Sequence, residues 1–434
     1  MASVLAVPLL TGPLPWVLMA AGVVGGVLLL VARGRSWWPN TVNTAVAAVA
    51  AVVAVLVALT TWVWSPFPDA VPASVWLCIG VGLAALALAA ARFAPRPAYG
   101  RRDRVTATVG AVLVLIAAAE GVNLQYGAVP TVRTAFGLPY PNEVEFADTP
   151  VHAARLLPPT PGTPFERTWT PPRDMPSTGR VAQVPIPGTT SGFAARSAWI
   201  YLPPAYLGST RAQLPVLVLV SGQPGDPSDW LDGGDLAARM DAFAAAHHGL
   251  APIVVMADAL GDPLANPLCL DSRLGDVASY LRVDVPAWID QHLEAQAVRS
   301  IGGLSYGGTC ALQMALNAPD VYPDFVDISG QSEPTLGTRA ETVAAAFAGD
   351  DAAFRAVNPL DLLAGRTFPG TQAYLVAGSE DAEYRPQAEK VYAALRTAGV
   401  PATLTLLPGG HTWQVWGPGL DAAMPWLAAR LGLI

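Results

Sequence analysis

The sequence predicts two architectures in one chain: four transmembrane helices, followed by an α/β domain with a mainly parallel sheet. Hydrophobic residues make up 52% of the 434 residues and charged residues only 13%, which is too apolar for an ordinary soluble protein. The long apolar runs fall almost entirely within the first 125 residues. From residue 180 onward, short apolar runs alternate with helical stretches, as in a sheet covered by helices. We therefore divide the chain into a transmembrane domain (1–125), a proline-rich linker (126–179) and an α/β domain (180–434).

The transmembrane domain rests on four apolar segments, each close to the roughly 20 residues that a helix needs to cross a bilayer. The alternative, buried helices of a soluble protein, does not account for several charge-poor segments with the same flanking asymmetry. The segments are Leu14–Val31, Val42–Trp62, Val75–Arg92 and Val105–Leu124.

The distribution of arginines predicts how these segments are oriented. Arginines follow the first segment and cluster between the third and fourth, whereas the N-terminus and the loop Ser65–Ala73 carry no lysine or arginine. By the positive-inside rule, both termini and the α/β domain lie outside the cytoplasm. The arginines concerned are Arg33, Arg35, Arg92, Arg96, Arg101, Arg102 and Arg104.

One ionisable residue, Glu120, falls near the outer end of the fourth segment. It either reaches interfacial water or makes a polar contact with a lipid headgroup, since ionisable groups within a membrane tend to be functional. The sequence leaves both interpretations open.

In the α/β domain the predicted strands are short and apolar. Pro215–Val220 is a continuous apolar run, which indicates a strand covered on both faces. The predicted strands are Ala198–Leu202, Pro215–Val220, Pro252–Met256, Ala297–Ile301, Phe325–Ile328, Ala373–Val376 and Ala402–Leu407. The predicted helices are Leu231–Ala246, Val277–Ala295, Thr309–Leu316, Glu341–Val357, Arg385–Ala398 and Leu420–Leu431. The linker before them is rich in proline without sustained periodicity, so we expect an extended connector, partly packed on its neighbours.

The candidate nucleophile is Ser305, in the run Gly303-Leu304-Ser305-Tyr306-Gly307. This G-x-S-x-G pattern is typical of a tight strand-to-helix turn that exposes a serine hydroxyl. The turn holds the serine in a strained backbone conformation, and glycine neighbours let it close. The pattern alone is not specific in a chain with 40 glycines. The assignment of Ser305 as a nucleophile therefore depends on finding the other residues that such a site requires.

A serine nucleophile needs a base that accepts its proton and an acid that orients the base. In this type of site the order along the chain is serine, acid, histidine. His411 is the only histidine after Ser305, and it follows the last predicted strand. Asp381 follows the strand before that one and is the predicted acid, with Glu380 and Glu383 as alternatives.

An oxyanion hole requires a pair of N–H donors. One is expected from Tyr306, the residue after the nucleophile. The other is expected from the loop after Pro215–Val220, where Gln223 is the candidate because Pro224 has no N–H. The alternative is a tight turn without a catalytic role.

Several of these motifs together resemble an esterase family of α/β-hydrolases, which includes the antigen 85 mycolyltransferases, S-formylglutathione hydrolases and feruloyl esterases. The resemblance covers about residues 180–434. It rests on Tyr201-Leu202-Pro203-Pro204-Ala205-Tyr206, Gly303-Leu304-Ser305-Tyr306-Gly307-Gly308, Gly378-Ser379-Glu380-Asp381, and Gly410-His411-Thr412-Trp413 with Trp416.

The resemblance implies an α/β-hydrolase fold and a serine esterase with the nucleophile, acid and base named above. It also implies backbone oxyanion donors at Tyr306 and Gln223. One departure is visible: many members have His-Gly before the oxyanion residue, and this chain has Ser221-Gly222. The whole architecture is similar to actinobacterial membrane-bound esterases that are associated with enzymes attaching amino acids to phosphatidylglycerol.

The chain has three cysteines, too few for a disulfide scaffold and without metal-ligand spacing. Cys269 and Cys310 fall in the domain expected outside the cytoplasm, where a disulfide can persist. The alternative is a pair of buried thiols, since cysteine packs well as a small hydrophobe. At the level of the sequence both possibilities stay open.

Acidic residues are frequent in the loops expected to surround Ser305. Such residues usually cap helices or face water, but several converging beside the nucleophile would favour a cationic substrate, such as an aminoacyl ester with a free amine. The candidates for substrate binding are Asp226, Asp229, Asp271 and Glu333, with Asp258 and Asp262 in the same loops.

The formal net charge of −8, with Lys390 as the single lysine, argues against a nucleic-acid-binding protein. We expect no cofactor and no metal. The sequence predicts a membrane-anchored, extracytoplasmic serine esterase whose partners are the bilayer and an ester of a membrane lipid, such as aminoacyl-phosphatidylglycerol. The alternatives are an acyltransferase of the mycolyltransferase type and a non-catalytic protein that binds a lipid or a partner.

Overall fold

The structure, a computed structural model, describes residues 7–31, 37–63, 71–94, 100–149 and 152–434. By its internal contacts the chain divides into two units, Met1–Leu138 and Pro139–Ile434. The first unit contains the apolar helices and the second contains the α/β sheet. Of the arginines used to predict orientation, Arg33, Arg35 and Arg96 lie outside the described residues.

Within the described ranges, three helices of the first unit are long and apolar enough to cross a membrane. The first predicted segment, Leu14–Val31, forms a helix of only 17 residues, so the prediction of four spans is not met in full. Prolines at 13 and 15 flank the first residue of that helix, and at about 1.5 Å per residue it reaches about 25 Å, less than the roughly 30 Å of a hydrocarbon core. The helices are α1 (Leu14–Leu30), α2 (Trp37–Val63), α3 (Ala73–Phe93), α4 (Arg101–Tyr126) and the short α5 (Val132–Ala135).

The helices of the first unit approach one another through small residues. A Cβ added to Gly25 of α1 would lie 2.6 Å from the carbonyl oxygen of Gly110 and 2.9 Å from Cβ of Leu113 in α4. Backbones that pack this closely leave room only for glycine. Glu120 of α4 is buried, with 5% of its surface exposed, so its carboxylate lies inside this unit.

The second unit is built on an eight-stranded sheet in the order β12-β11-β10-β9-β5-β6-β3-β2. Neighbouring strands are parallel except at the edge, where β3 pairs antiparallel with both β2 and β6. Strand β9 lies between β5 and β10, and every residue of these two flanking strands is buried. The strands of this sheet are β2 (Arg180–Val184), β3 (Ala198–Leu202), β5 (Val216–Val220), β6 (Ile253–Ala257), β9 (Arg299–Leu304), β10 (Asp324–Ile328), β11 (Gln372–Gly378) and β12 (Ala402–Leu407). The others form small pairs: β1 (Arg155–Leu157) with β4 (Thr210–Ala212), and β7 (Asp271–Ser272) with β8 (Gly275–Asp276).

Helices pack against this sheet in the predicted order, but several of their bounds differ. The stretch 231–246 is broken after Asp232 by a pair of glycines, and the stretch 341–357 is broken at Gly349, whose φ is +87°. The last helix begins at Trp413, earlier than the predicted Leu420, and continues through Pro418 and Gly419. The helices are α6 (Pro204–Leu207), α7 (Asp229–Asp232), α8 (Leu236–Ala246), α9 (Val277–Ser279), α10 (Val285–His292), α11 (Tyr306–Asn317), α12 (Arg339–Phe347), α13 (Asp351–Arg355), α14 (Pro359–Gly365), α15 (Tyr384–Thr397) and α16 (Trp413–Arg430).

The proline-rich stretch before β2 contributes several contacts to the second unit. The N–H of Val144 donates to the carbonyl of Val181 at 2.9 Å, and the N–H of Phe165 donates to the carbonyl of Gly432 at 2.9 Å. The segment therefore lies along the sheet unit from residue 139 onward, although it has little regular structure of its own.

Candidate active site

Ser305 lies between β9 and α11, at the carboxyl end of a central strand. Its φ of +53° and ψ of −120° are unfavourable for a residue with a side chain. A Cβ at Gly303 would overlap the backbone of Gly307, and a Cβ at Gly307 would overlap the carbonyl oxygen of Val220. Glycine at both positions therefore allows the turn to close, as the G-x-S-x-G pattern predicts.

The three residues predicted to act together lie in one chain of hydrogen bonds. Nε2 of His411 is 2.9 Å from Oγ of Ser305, and Nδ1 of His411 is 3.0 Å from Oδ2 of Asp381. A carboxylate accepts from Nδ1–H, which leaves Nε2 as the acceptor for the serine hydroxyl. The loops after β9, β11 and β12 bring these residues together at one edge of the sheet.

The carboxylate of Asp381 is held from a second direction by the start of α15. Its Oδ1 accepts from the backbone N–H groups of Glu383 at 3.2 Å and Tyr384 at 2.9 Å. Burial raises the pKa of Asp381, but the hydrogen bonds from His411 and from these backbone groups outweigh burial, so its pKa lies below the usual value. Both alternatives for the acid, Glu380 and Glu383, are exposed, and the geometry favours Asp381.

The loop after β5 lies beside the nucleophile. A Cβ added to Gly222 would be 3.5 Å from Cβ of Ser305. Tyr306 is the first residue of α11, so its N–H has no acceptor within the helix. The backbone N–H of Gln223 has no protein acceptor in the part of the chain that the structure describes. Both predicted oxyanion donors are therefore available to a ligand.

Two of the acidic residues predicted to bind substrate are engaged within the protein. Asp271 accepts from the N–H and the hydroxyl of Ser279, at 2.7 and 2.6 Å, and pairs with Arg282 at 3.4 Å. Glu333 pairs with Arg339 at 3.3 Å and accepts from the amide of Asn358 at 2.7 Å. These contacts fix loops and helix ends in the second unit.

Three of the remaining acidic candidates, Asp226, Asp229 and Asp258, interact with Arg196. Its guanidinium pairs with Asp226 at 3.0 Å and with the buried Asp258 at 2.6 Å. Asp229 accepts from the N–H of Asp226 at 2.8 Å, and burial raises the pKa of Asp229 to about 7. Asp262 accepts from the N–H of Leu264 at 3.0 Å. Among the four predicted substrate-binding residues, Asp229 alone makes no direct ion pair in the described part of the chain, although the nearby charge of Arg196 favours its ionised form.

Cys269 and Cys310 form a disulfide, with their Cα atoms 5.4 Å apart. Cys310 lies in α11, so the bond ties the loop before β7 to the helix that begins at the nucleophile. Gln313 of the same helix donates to the carbonyl of Leu268 at 3.0 Å. The hydroxyl of Tyr306 donates to the carbonyl of Ala259 at 3.0 Å. Tyr306, a predicted oxyanion donor, is therefore anchored to the loop region that the disulfide holds.

An aromatic enclosure around His411 could not be predicted from the sequence. The ring of Tyr384 stacks on the imidazole with centroids 3.8 Å apart, and Trp416 meets it nearly at a right angle, with centroids 4.9 Å apart. Trp416 belongs to a motif of the resemblance, but nothing in the sequence pairs Tyr384 with the histidine. In the described ranges, no group of at least three His, Cys, Asp or Glu side chains could hold a metal ion.

A family model described as a putative esterase matches residues 194–427. An uncharacterized protein of Corynebacterium glutamicum is 39% identical over 385 residues, which cover 86% of this chain and 85% of that protein.

Solved structures with a similar fold include a ferulic acid esterase, with a TM-score of 0.50 and 18% identity over 58% of this chain and 99% of that one. An S-formylglutathione hydrolase from Agrobacterium tumefaciens has a TM-score of 0.50 and 20% identity over 59% of this chain and 97% of that one. At these identities the likeness concerns the fold. Taken with the family match, it shows that the chain belongs to the putative esterase family of α/β-hydrolases.

Proposed function

We propose that this chain is a membrane-anchored, extracytoplasmic serine esterase that cleaves a carboxylic ester of a membrane lipid through an acyl-enzyme on Ser305. The observation that carries the proposal is the hydrogen-bonded chain Ser305–His411–Asp381 on a strained turn. A serine hydroxyl that faces a histidine base, which in turn faces a buried carboxylate, is the arrangement that activates serine for acyl transfer.

The reaction follows from these positions. Nε2 of His411 accepts the Ser305 proton while Oγ attacks the ester carbonyl, and the N–H groups of Tyr306 and Gln223 donate to the resulting oxyanion. Collapse of this intermediate breaks the bond to the alcohol, which leaves with the proton from His411. A water molecule then gives its proton to His411 and attacks the acyl group, which releases the acid and restores Ser305.

Anchoring to a membrane is supported by the first unit. Its helices expose large apolar side chains, among them Trp16 at 77%, Val23 at 69% and Trp62 at 79%. A soluble protein rarely exposes so many on one unit. We propose that α1 also crosses, with local thinning of the bilayer, and that the arginine distribution places both termini outside.

Asp229 supports an aminoacyl ester as the substrate. Its carboxylate lies against the loop that contains Gln223, since a Cβ added to Gly225 of that loop would be 2.7 Å from it. With a pKa of about 7, this carboxylate is ionised in a large fraction of molecules at neutral pH. A substrate ammonium group in direct contact would favour the ionised form further, beyond the effect of the nearby Arg196. Aminoacyl-phosphatidylglycerol, to which the resemblance also points, carries such a group.

The test uses the full chain in detergent. A short-chain p-nitrophenyl ester and a fluorophosphonate probe report on the serine, with Ser305→Ala as the inactive control. Retained hydrolysis or labelling by Ser305→Ala would point to another nucleophile, and failure of the wild type to react with either would favour a non-catalytic role.

The proposed lipid substrate is tested in mixed micelles of detergent and phospholipid. Phosphatidylglycerol with an esterified amino acid is compared with unmodified phosphatidylglycerol. Release of the amino acid from the first, without fatty acid from either, is the expected result, and release of fatty acid would contradict it. Addition of a sugar alcohol distinguishes hydrolysis from acyl transfer by whether a new ester is formed.

A further inference from the structure

The imidazole of His411 is held by more than its hydrogen bonds. Oγ of Ser305 and Oδ2 of Asp381 contact its two nitrogens at 2.9 and 3.0 Å. Contacts at Nδ1 and Nε2 constrain the ring within its plane. They leave it free to tilt about the line that joins the two nitrogens, because neither partner contacts the face of the ring. A group packed on that face is needed to stop this motion.

Tyr384 supplies such a group. Its ring lies 3.8 Å from the imidazole between centroids, with 19° between the planes. The side chain is buried, with 1% of the residue exposed, so its own position is fixed by the core. The ring of Trp416 also contacts the imidazole, with 85° between the two ring planes, and this contact limits movement of the imidazole in a different direction.

The backbone of Tyr384 also acts on the acid. Its N–H donates to Oδ1 of Asp381 at 2.9 Å, and this donor is available because Tyr384 is the first residue of α15. One residue therefore contacts the acid through its main chain and the base through its ring. A movement of the start of α15 would change the positions of both groups together.

We propose that Tyr384 is a positioning residue that sets the orientation of the His411 ring relative to Ser305. The inference rests on the proposed function. It deepens that function by assigning the alignment of the base to a residue outside the hydrogen-bonded chain. The planar face of Tyr384 is the feature that matters, so phenylalanine replaces it and an aliphatic side chain of similar volume does not.

The first experiment compares kcat and KM of the full chain in detergent on a short-chain p-nitrophenyl ester. We expect Tyr384→Leu to lower kcat about tenfold, the size that loss of an aromatic pair can produce, with KM changed less than about twofold. Tyr384→Phe is expected to keep kcat within about threefold of the wild type. The rate of fluorophosphonate labelling follows kcat in both variants.

Tyr392 provides a matched control, because it lies on the same helix α15 and is partly buried against the same core. Tyr392→Leu is expected to keep kcat near that of the wild type. If Tyr384→Leu fails to fold, Tyr384→Met carries the test, since methionine fills irregular space without a planar ring.

The outcomes separate this inference from the function on which it rests. Retained activity in Ser305→Ala would overturn the proposed function. With Ser305→Ala inactive, a folded Tyr384→Leu or Tyr384→Met with the kcat of the wild type would overturn the inference. An equal loss in Tyr384→Leu and Tyr392→Leu would also overturn it, since that result indicates general packing. A loss restored by phenylalanine alone supports it.

Discussion

The two units of this protein differ in how many of their large apolar residues are exposed. In the sheet unit, strand β5 buries an unbroken run of valine and leucine between helices on both sides. In the helical unit, the buried positions include small residues, while large ones such as Val23 and Trp62 are exposed at 69% and 79%. Large apolar residues therefore form a hydrophobic interior in the sheet unit and much of the exterior in the helical unit.

This difference indicates what holds each unit together. Burial of large side chains from water stabilises the sheet unit, at about 25 cal/mol per Å² of apolar surface. The helical unit instead relies on close backbone approach at glycine and alanine, which is how helices associate where lipid replaces water. Its charged residue Arg92 is buried and donates to the carbonyl of Leu29 at 2.6 Å, at the end of α1.

The largest expected effect concerns Asp381, the proposed acid in the sheet unit. Asp381→Asn keeps the shape of the side chain but presents an amide to Nδ1 of His411, which favours the wrong tautomer. We expect kcat to fall about 10³- to 10⁴-fold, as in other serine enzymes with this change. Hydrolysis of a short-chain ester measures it. Glu383→Gln, in the same loop and exposed, is the control and is expected to leave kcat unchanged.

The second prediction concerns the covalent link in the sheet unit. The disulfide closes a separation of 41 residues, and the chain-entropy argument gives about 4 kcal/mol for a loop of this size. Replacing both Cys269 and Cys310 by serine is expected to lower the thermal midpoint of this unit by about 6 °C. Alkylation of the wild type with and without reductant checks the bond. Two thiols that alkylate freely without reductant would contradict the structure.

Much of the sheet unit could be predicted from the sequence. The spacing of apolar residues is a local property, and the order of strands and motifs along the chain is visible in the sequence itself. Ser305, Asp381 and His411 follow from the order of motifs and from the strand that each one follows. The stack of Tyr384 on His411 could not be predicted, since the residues are distant in sequence and either could serve as ordinary core. The disulfide stayed open for a similar reason: residue types alone do not give the distance between Cys269 and Cys310.

In the helical unit the prediction was less complete, because apolar runs show length but not which face meets a neighbour. The sequence marked α1 as a span, yet it gave no sign that Gly25 touches Gly110 while Gly26 faces open space. Packing of small residues between helices has no strong periodic signal in a segment that is apolar all round.

The third prediction tests the packing rule of the helical unit with two adjacent glycines. A Cβ at Gly25 would meet the backbone of α4, whereas a Cβ at Gly26 has nothing within 4 Å. We expect Gly25→Leu to destabilise the helical unit by about 1–3 kcal/mol through overpacking, and Gly26→Leu to be tolerated. Protease sensitivity in detergent measures this. Hydrolysis of a short-chain ester should be equal in both variants, and a loss of activity in Gly25→Leu alone would show that the two units are coupled.

The smallest expected effect concerns a carboxyl group buried beneath the nucleophile turn. Asp327 lies on β10, where its Oδ1 accepts from the N–H of Gly330 at 2.8 Å and its Oδ2 has no protein partner in the described ranges. Burial raises the pKa of Asp327 from 3.8 to about 7. Between these values the folded state binds more protons than the unfolded state, so this group makes stability fall as pH rises through that window.

Asp327→Asn removes the titration while it keeps an acceptor for Gly330. At pH 5 the variant should gain less stability over the wild type than at pH 8, because Asp327 is then neutral in the fold although it is already largely ionised in the unfolded chain. At pH 8 the variant should be more stable by about 1 kcal/mol or more, since the wild type then carries a buried charge. Thermal unfolding of the full chain in detergent at both pH values measures the difference, with the exposed Asp320→Asn as control. An offset between variant and wild type that is the same at both pH values would mean that Asp327 keeps one charge state throughout, and the sheet unit would then hold a stable buried charge, as the helical unit does with Arg92.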